Sequence, residues 1–74
     1  EELFENYAKA YEYYCLQYTT FKNVLDKDPS NIECIRFTTI AIGHITSMLS
    51  EMGRNRETIP YHWERLHLLQ QLGE

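Results

Sequence analysis

The sequence predicts an all-α fold, a small three-helix bundle built on a long antiparallel helical hairpin. Near the start, Phe4, Tyr7, Tyr11, Tyr14, Tyr18, Phe21 and Leu25 recur at intervals of three and four, which places all seven on one stripe of a helix. From Phe37 to Ser50 no side chain is formally charged, and apolar residues line two stripes, the pattern of a central bundle element. The period-two alternation of a half-buried strand is absent.

Helix one is expected over residues 3–26. Glu1, Glu2 and Glu5 complement the helix dipole at its start, and Glu5–Lys9 is a favourable i,i+4 pair. Pro29 ends it, because a residue preceding proline avoids the α region. The run Phe21–Asn31, with its Asp28-Pro29, resembles the end of a tetratricopeptide repeat. Helices of this length do not fit a 34-residue repeat, and the likeness is one of turn chemistry.

Helix two is expected over 31–52. Ser30 with Glu33 fits a capping box, and Asp28 with Pro29 is a competing start. Ile35, Ile42, Ile45, Leu49 and Met52 form one stripe, completed by Thr38. Cys34, Phe37, Ala41 and Met48 form its neighbour, and Gly53 is a suitable C′ residue. Helix three is expected over 59–72, capped by Thr58, with Pro60 in its first turn and Gly73 at its end. Trp63, Leu66, Leu69 and Leu72 are expected to face inward.

Antiparallel pairing about residues 28 and 29 sets Tyr14 level with Gly43, Tyr11 with Thr46 and Tyr7 with Ser50. Helix two then offers small residues where helix one offers rings. A ring over Gly43 would offset its helix cost of about 1 kcal/mol, and the small hydroxyls are expected partners for tyrosine OH groups.

All 74 residues read as one domain, near the lower size limit for independent folding, opening without methionine and expected to belong to a longer protein. No run of membrane length is present. Cys15 and Cys34 would sit about 12 Å apart along the hairpin axis, beyond the ~7 Å reach of a disulfide. They read as free thiols of an intracellular protein, in cytoplasm or nucleus.

The residues for chemistry are sparse. His62 and His67 miss the i,i+4 ligand spacing, and neither cysteine has a CxxC partner, so no metal or other cofactor is expected. Cys15 or Cys34 with His44 is the only formal nucleophile–base set, and no activating charge or phosphate loop accompanies it. The expectation is a non-enzyme. A net charge of −4 and dispersed bases weigh against general phosphate-backbone binding.

What stands out is ring content: six Tyr, three Phe and one Trp in so short a chain. Such residues are enriched where proteins recognise proteins. The expected function is a helical protein–protein interaction domain, binding a partner helix or a second copy through Tyr7, Tyr11, Tyr13 and Tyr14. The alternative is an accessory domain of a nucleic-acid assembly, contacting DNA or RNA through Arg54, Arg56 and Arg65.

Overall fold

The computed structural model describes residues 2–73, with side chains from residue 5 onward; Glu1, Glu74 and the side chains of Glu2, Leu3 and Phe4 lie outside the described residues. The chain is all-α. Helix α1 spans Glu2–Lys27, α2 Ile32–Glu51 and α3 Ile59–Gln71, with a 3-10 turn over Asn55–Thr58 leading into α3. These bounds fall within one residue of the sequence expectation for all three helices.

The ends of α2 show how local chemistry sets those bounds. Its N-cap is Asn31, not Ser30 or Asp28: the Asn31 side-chain oxygen accepts a 3.0 Å bond from the Cys34 N–H. Asn and Ser cap about equally well, so the tie is broken by the turn, where the Asn31 N–H donates to the Asp28 carbonyl and places Asn31 at the cap. At the other end Gly53 takes a φ of +75°. Its N–H bonds the Ser50 carbonyl at 3.0 Å and the Arg54 N–H bonds the Leu49 carbonyl at 2.8 Å, the paired closure of a Schellman motif. The expected Thr58 cap of α3 is not made. The Thr58 hydroxyl instead donates back to the Asn55 carbonyl at 2.6 Å, because the 3-10 turn brings that carbonyl within its reach.

Helix α2 is the centre of the fold. Ile42, Ile45, Leu49 and Thr38 are its largest wholly buried side chains, and Ile35 and Cys34 join Leu25 of α1 and Leu68 of α3 in the core. Both flanking helices pack on α2, yet no Cα of α1 comes within 8 Å of one in α3 among the described residues. The molecule is correspondingly long and flat, 41 × 20 × 14 Å. The 26 residues of α1 account for the length at ~1.5 Å each.

The hairpin register agrees with expectation to within one residue. Tyr14 stacks on His44 with ring centroids 4.4 Å apart, and Phe21 stacks on Phe37 at 5.6 Å, so residues whose numbers add to 58 lie level. That shift changes the partners. No ring covers Gly43: the place a Cβ would take there has no heavy atom within 4 Å. Nor do the small hydroxyls of α2 serve tyrosines. Thr38, Thr39 and Thr46 donate to the carbonyls of Cys34, Arg36 and Gly43 on their own helix. A hydroxyl one turn from a carbonyl finds it without any ordering of a second helix.

Helix α3 is rotated relative to expectation: of the four residues expected inward, Leu72 packs against the core and Leu69 is half-buried, but Trp63 and Leu66 are exposed. Leu68 is buried, with Tyr61 and Leu72 packed against the same core. Trp63, Leu66 and Ile59 lie on the side turned away from Leu68 and are exposed. The stripe through residues 61, 64, 68 and 72 wins because Tyr61 and Glu64 are long enough to reach α1 across the gap.

Two substitutions separate these backbone terms. Gly43→Ala is expected to raise stability by about 0.5–1 kcal/mol, since the site is open and helical. Gly53→Ala is expected to lower it by about 1 kcal/mol through its positive φ. Urea midpoints of the two variants against the parent chain check both signs.

Candidate functional site

The aromatic seam of α1 straddles α2 and is divided by it into two rows. Residues seven apart stay on one side of the stripe. Tyr11, Tyr18 and Leu25 form a closed row, covered by α3 and the turn before it. Tyr14 and Phe21 form an open row, with half-buried Tyr7 one heptad earlier.

The closed row meets α3 through side chains alone. The Tyr18 ring lies edge-on to Tyr61 at 5.7 Å, and its hydroxyl donates to the Glu64 carboxylate. Lys22 donates to the other oxygen of the same carboxylate. Glu64 is thus the polar hub of the α1–α3 gap. Further along, the Arg54 guanidinium sits 5.4 Å over the Tyr11 ring while bonding Glu57 through two nitrogens at 2.5 and 2.6 Å. The Tyr11 phenol is pushed up to about 12, first by its contact with the Cys15 thiol and then by burial. Burial, then the hydrogen bond to Glu64, raises Tyr18 further, and burial raises Tyr61.

The open row borders a groove. Tyr14 on His44 and Phe21 on Phe37 form its floor, and exposed Tyr13, edge-on to Tyr14 at 5.5 Å, and exposed Ile40 form its walls. Gln17 and Ala41 complete the lining of about 560 Å³. A shallower hollow of about 340 Å³ continues from Phe21 and Phe37 past Val24 and Cys34. No charged side chain lines the larger groove. Its polar groups, one amide, one imidazole and two phenols, can take hydrogen bonds from a ligand whose bulk is apolar.

The four tyrosines singled out in the sequence therefore divide. Tyr13 and Tyr14 belong to the groove. Tyr11 lies on the closed row beneath Arg54, and Tyr7 is half-buried near the level of the end of α2. Of the remaining groove members, Gln17 and Phe21 come from α1, and Phe37, Ile40, Ala41 and His44 from α2. Phe37 and Ala41 lie on the second apolar stripe read from the sequence, and the structure leaves Phe37 of that stripe exposed, with Ile40 and His44 beside it.

The formal catalytic set is not assembled. The Cys34 thiol donates to the Phe21 carbonyl at 3.2 Å, Cys15 contacts Tyr11, and His44 lies stacked on Tyr14. Both cysteines are free thiols. Of the three arginines of the nucleic-acid reading, Arg54 is engaged by Glu57 and Tyr11, and Arg56 and Arg65 are exposed. Among the described residues no group of three metal-ligating side chains forms, and no helix is long and apolar enough to cross a membrane.

Comparison with protein-family models, curated proteins and solved structures finds no match to this chain.

The raised phenols predict an alkaline limit to stability. A phenol whose folded pKa lies above its unfolded value near 10 favours the fold while both states are protonated. That contribution is whole below pH 10 and is lost as pH rises from 10 towards 12 and beyond, because the unfolded chain ionises first. Urea midpoints are expected to fall over that range, with a shallower fall in Tyr18→Phe, which lacks one of the raised groups.

Proposed function

We propose that the chain is a non-enzymatic helical protein–protein interaction domain that docks its partner in the open groove between α1 and α2. The observation that supports this reading is the uncovered apolar surface of the hairpin: Tyr13 and Ile40 keep 58% and 57% of their surface exposed, and Phe37 keeps 49%. Large apolar side chains gathered in one concavity differ from the scattered exposed residues of any protein surface. The phenols of Tyr13 and Tyr14 and the ring of His44 supply the polar tips that an aromatic interface uses.

Surface area supports the same reading. The chain exposes 5310 Å², against about 4,800 Å² for a compact monomer of its mass. The excess comes from a flat three-helix layer with one side of its hairpin uncovered. The partner recognised is an amphipathic helix, whose anchors at i, i+3, i+4 and i+7 suit a groove between two helices. Tyr7, one heptad before Tyr14 on the open row, enters the contact only where a partner helix extends past the groove along α1, and Tyr11, on the closed row beneath Arg54, lies outside it. The proposed setting is a larger intracellular protein, in cytoplasm or nucleus, to which this domain lends a contact.

Because Tyr13 and Ile40 are exposed, Tyr13→Ala combined with Ile40→Ala is expected to leave the helical circular dichroism signal in place and shift the melting midpoint only slightly. The double variant is expected to lose proteins that the parent domain retains from a cell extract. Equal retention by both, with both folded, removes the groove from the interface.

A further inference from the structure

Helix α3 is the least embedded helix of the fold. Among the described residues Leu68 is the only one of its 13 that is buried, whereas α2 buries Ile35, Thr38, Ile42, Ile45 and Leu49 among others. Ile59, Trp63 and Leu66 form an exposed ridge on its outer side. Its inner side lies over the closed row, where Leu68 joins Leu25, Ile35 and Ile42 in the core and the Tyr18 and Tyr61 rings meet. We infer that α3 is a lid: it opens as a unit while the hairpin and the turn before it stay folded, and its opening uncovers Tyr18, Leu25, Ile35 and Ile42.

The division falls at the start of α3. The 3-10 turn Asn55–Thr58 packs on α2 with Thr58 buried, and Arg54 before it is seated over Tyr11 of α1. Helix α2 is closed by its own Schellman bonds at Gly53, so its C-terminus asks nothing of α3. The Ile59 N–H bonds the Arg56 carbonyl, and the next residue, Pro60, has no N–H to add. The turn thus has anchors of its own on both hairpin helices, and α3 begins where those anchors end.

What holds the lid is modest. Buried Leu68 and the partly buried Tyr61 and Leu72 are its apolar anchors in the core. The rest of its hold on α1 is largely polar: Glu64 accepts from Tyr18 and Lys22, and the Glu64 and Lys22 side chains remain 22% and 38% exposed. Water competes for groups so exposed, so the bridge fixes where α3 sits and adds little to its hold. No backbone approach between α1 and α3 has to be broken. A helix with one buried side chain and solvated bridges belongs to the low-stability end of a fold. Closed, the lid hides one row of the seam; open, it leaves both rows in water. Lid position therefore sets how much aromatic surface the hairpin presents, whatever occupies the groove on its other side.

Amide hydrogen exchange, read residue by residue on the whole chain, tests the lid. Amides of residues 63–69 are expected to share one level of protection, at least about ten-fold below that of residues 42–49. Gly43→Ala separates lid opening from global unfolding. Its site is open, and it lies on the hairpin, which is folded whether the lid is closed or open. The variant is expected to raise protection in α2 about two- to five-fold and to leave that of α3 unchanged.

Equal protection of α3 and α2 in the parent chain overturns the inference, since the helix then opens only when everything does. So does a rise in Gly43→Ala that is the same in both helices. Protection that declines steadily along α3 towards Gln71 overturns it as well, because that is fraying of an end and not the opening of a unit.

Discussion

The fold depends on one helix having to satisfy two neighbours at once. In a three-helix bundle of usual shape each helix packs on the other two, and the core lies on the common axis. Here α1 and α3 stay apart, and every backbone approach that joins them passes through α2. That requires α2 to be apolar on two stripes, which the charge-free run from Phe37 to Ser50 supplies. Along it Ile42, Ile45 and Leu49 lie wholly buried with Thr38. A helix so used has no polar face wide enough to keep its whole outer side hydrophilic. Phe37 and Ile40 are therefore exposed as a consequence of the architecture.

The gap between α1 and α3 explains the tyrosines. At one end Leu25 and Leu68 share the core, and further along Tyr18 and Tyr61 span the gap with rings that meet edge to face. Their hydroxyls then end in a partly dry gap and need partners. Glu64 accepts from Tyr18 and from Lys22, so the acid in that gap carries a phenol and an ammonium on its two oxygens. No buried polar side-chain atom is left without a partner among the described residues. Polar bridging of this kind holds a helix at a distance and in register without adding hydrophobic area. It yields a flat molecule in place of a round one.

Flatness has a functional side. A domain of 74 residues has little interior to spare, and spreading its helices in a layer leaves both outer faces partly apolar. The groove of the hairpin and the ridge of α3 are the two results. Each is the outward side of an element whose inward side is spent on α2. Some of the large side chains concentrated in so short a chain thus build the core, and others, Tyr13, Phe37, Ile40 and Trp63 among them, stay exposed.

The sequence by itself determined the helices, the central position of α2 and, each to within a residue, the helix ends and the hairpin register. These follow from periodicity, from the proline and glycine signals and from chain geometry, all of which act over a few residues. It also exposed the seam on α1. What only the tertiary structure decided was the division of that seam into a closed and an open row, the rotation of α3 and the choice of Asn31 over Ser30 as cap. The spacing of Trp63, Leu66, Leu69 and Leu72 made as good an inward stripe as that of Tyr61, Leu68 and Leu72, the two sharing Leu72. Local pattern cannot rank two such stripes, because the ranking comes from contacts with residues some forty positions away. Glu64 is charged and so read as surface. It turned inward because Tyr18 and Lys22, one turn apart on α1, present a donor pair that a single carboxylate can hold across the gap.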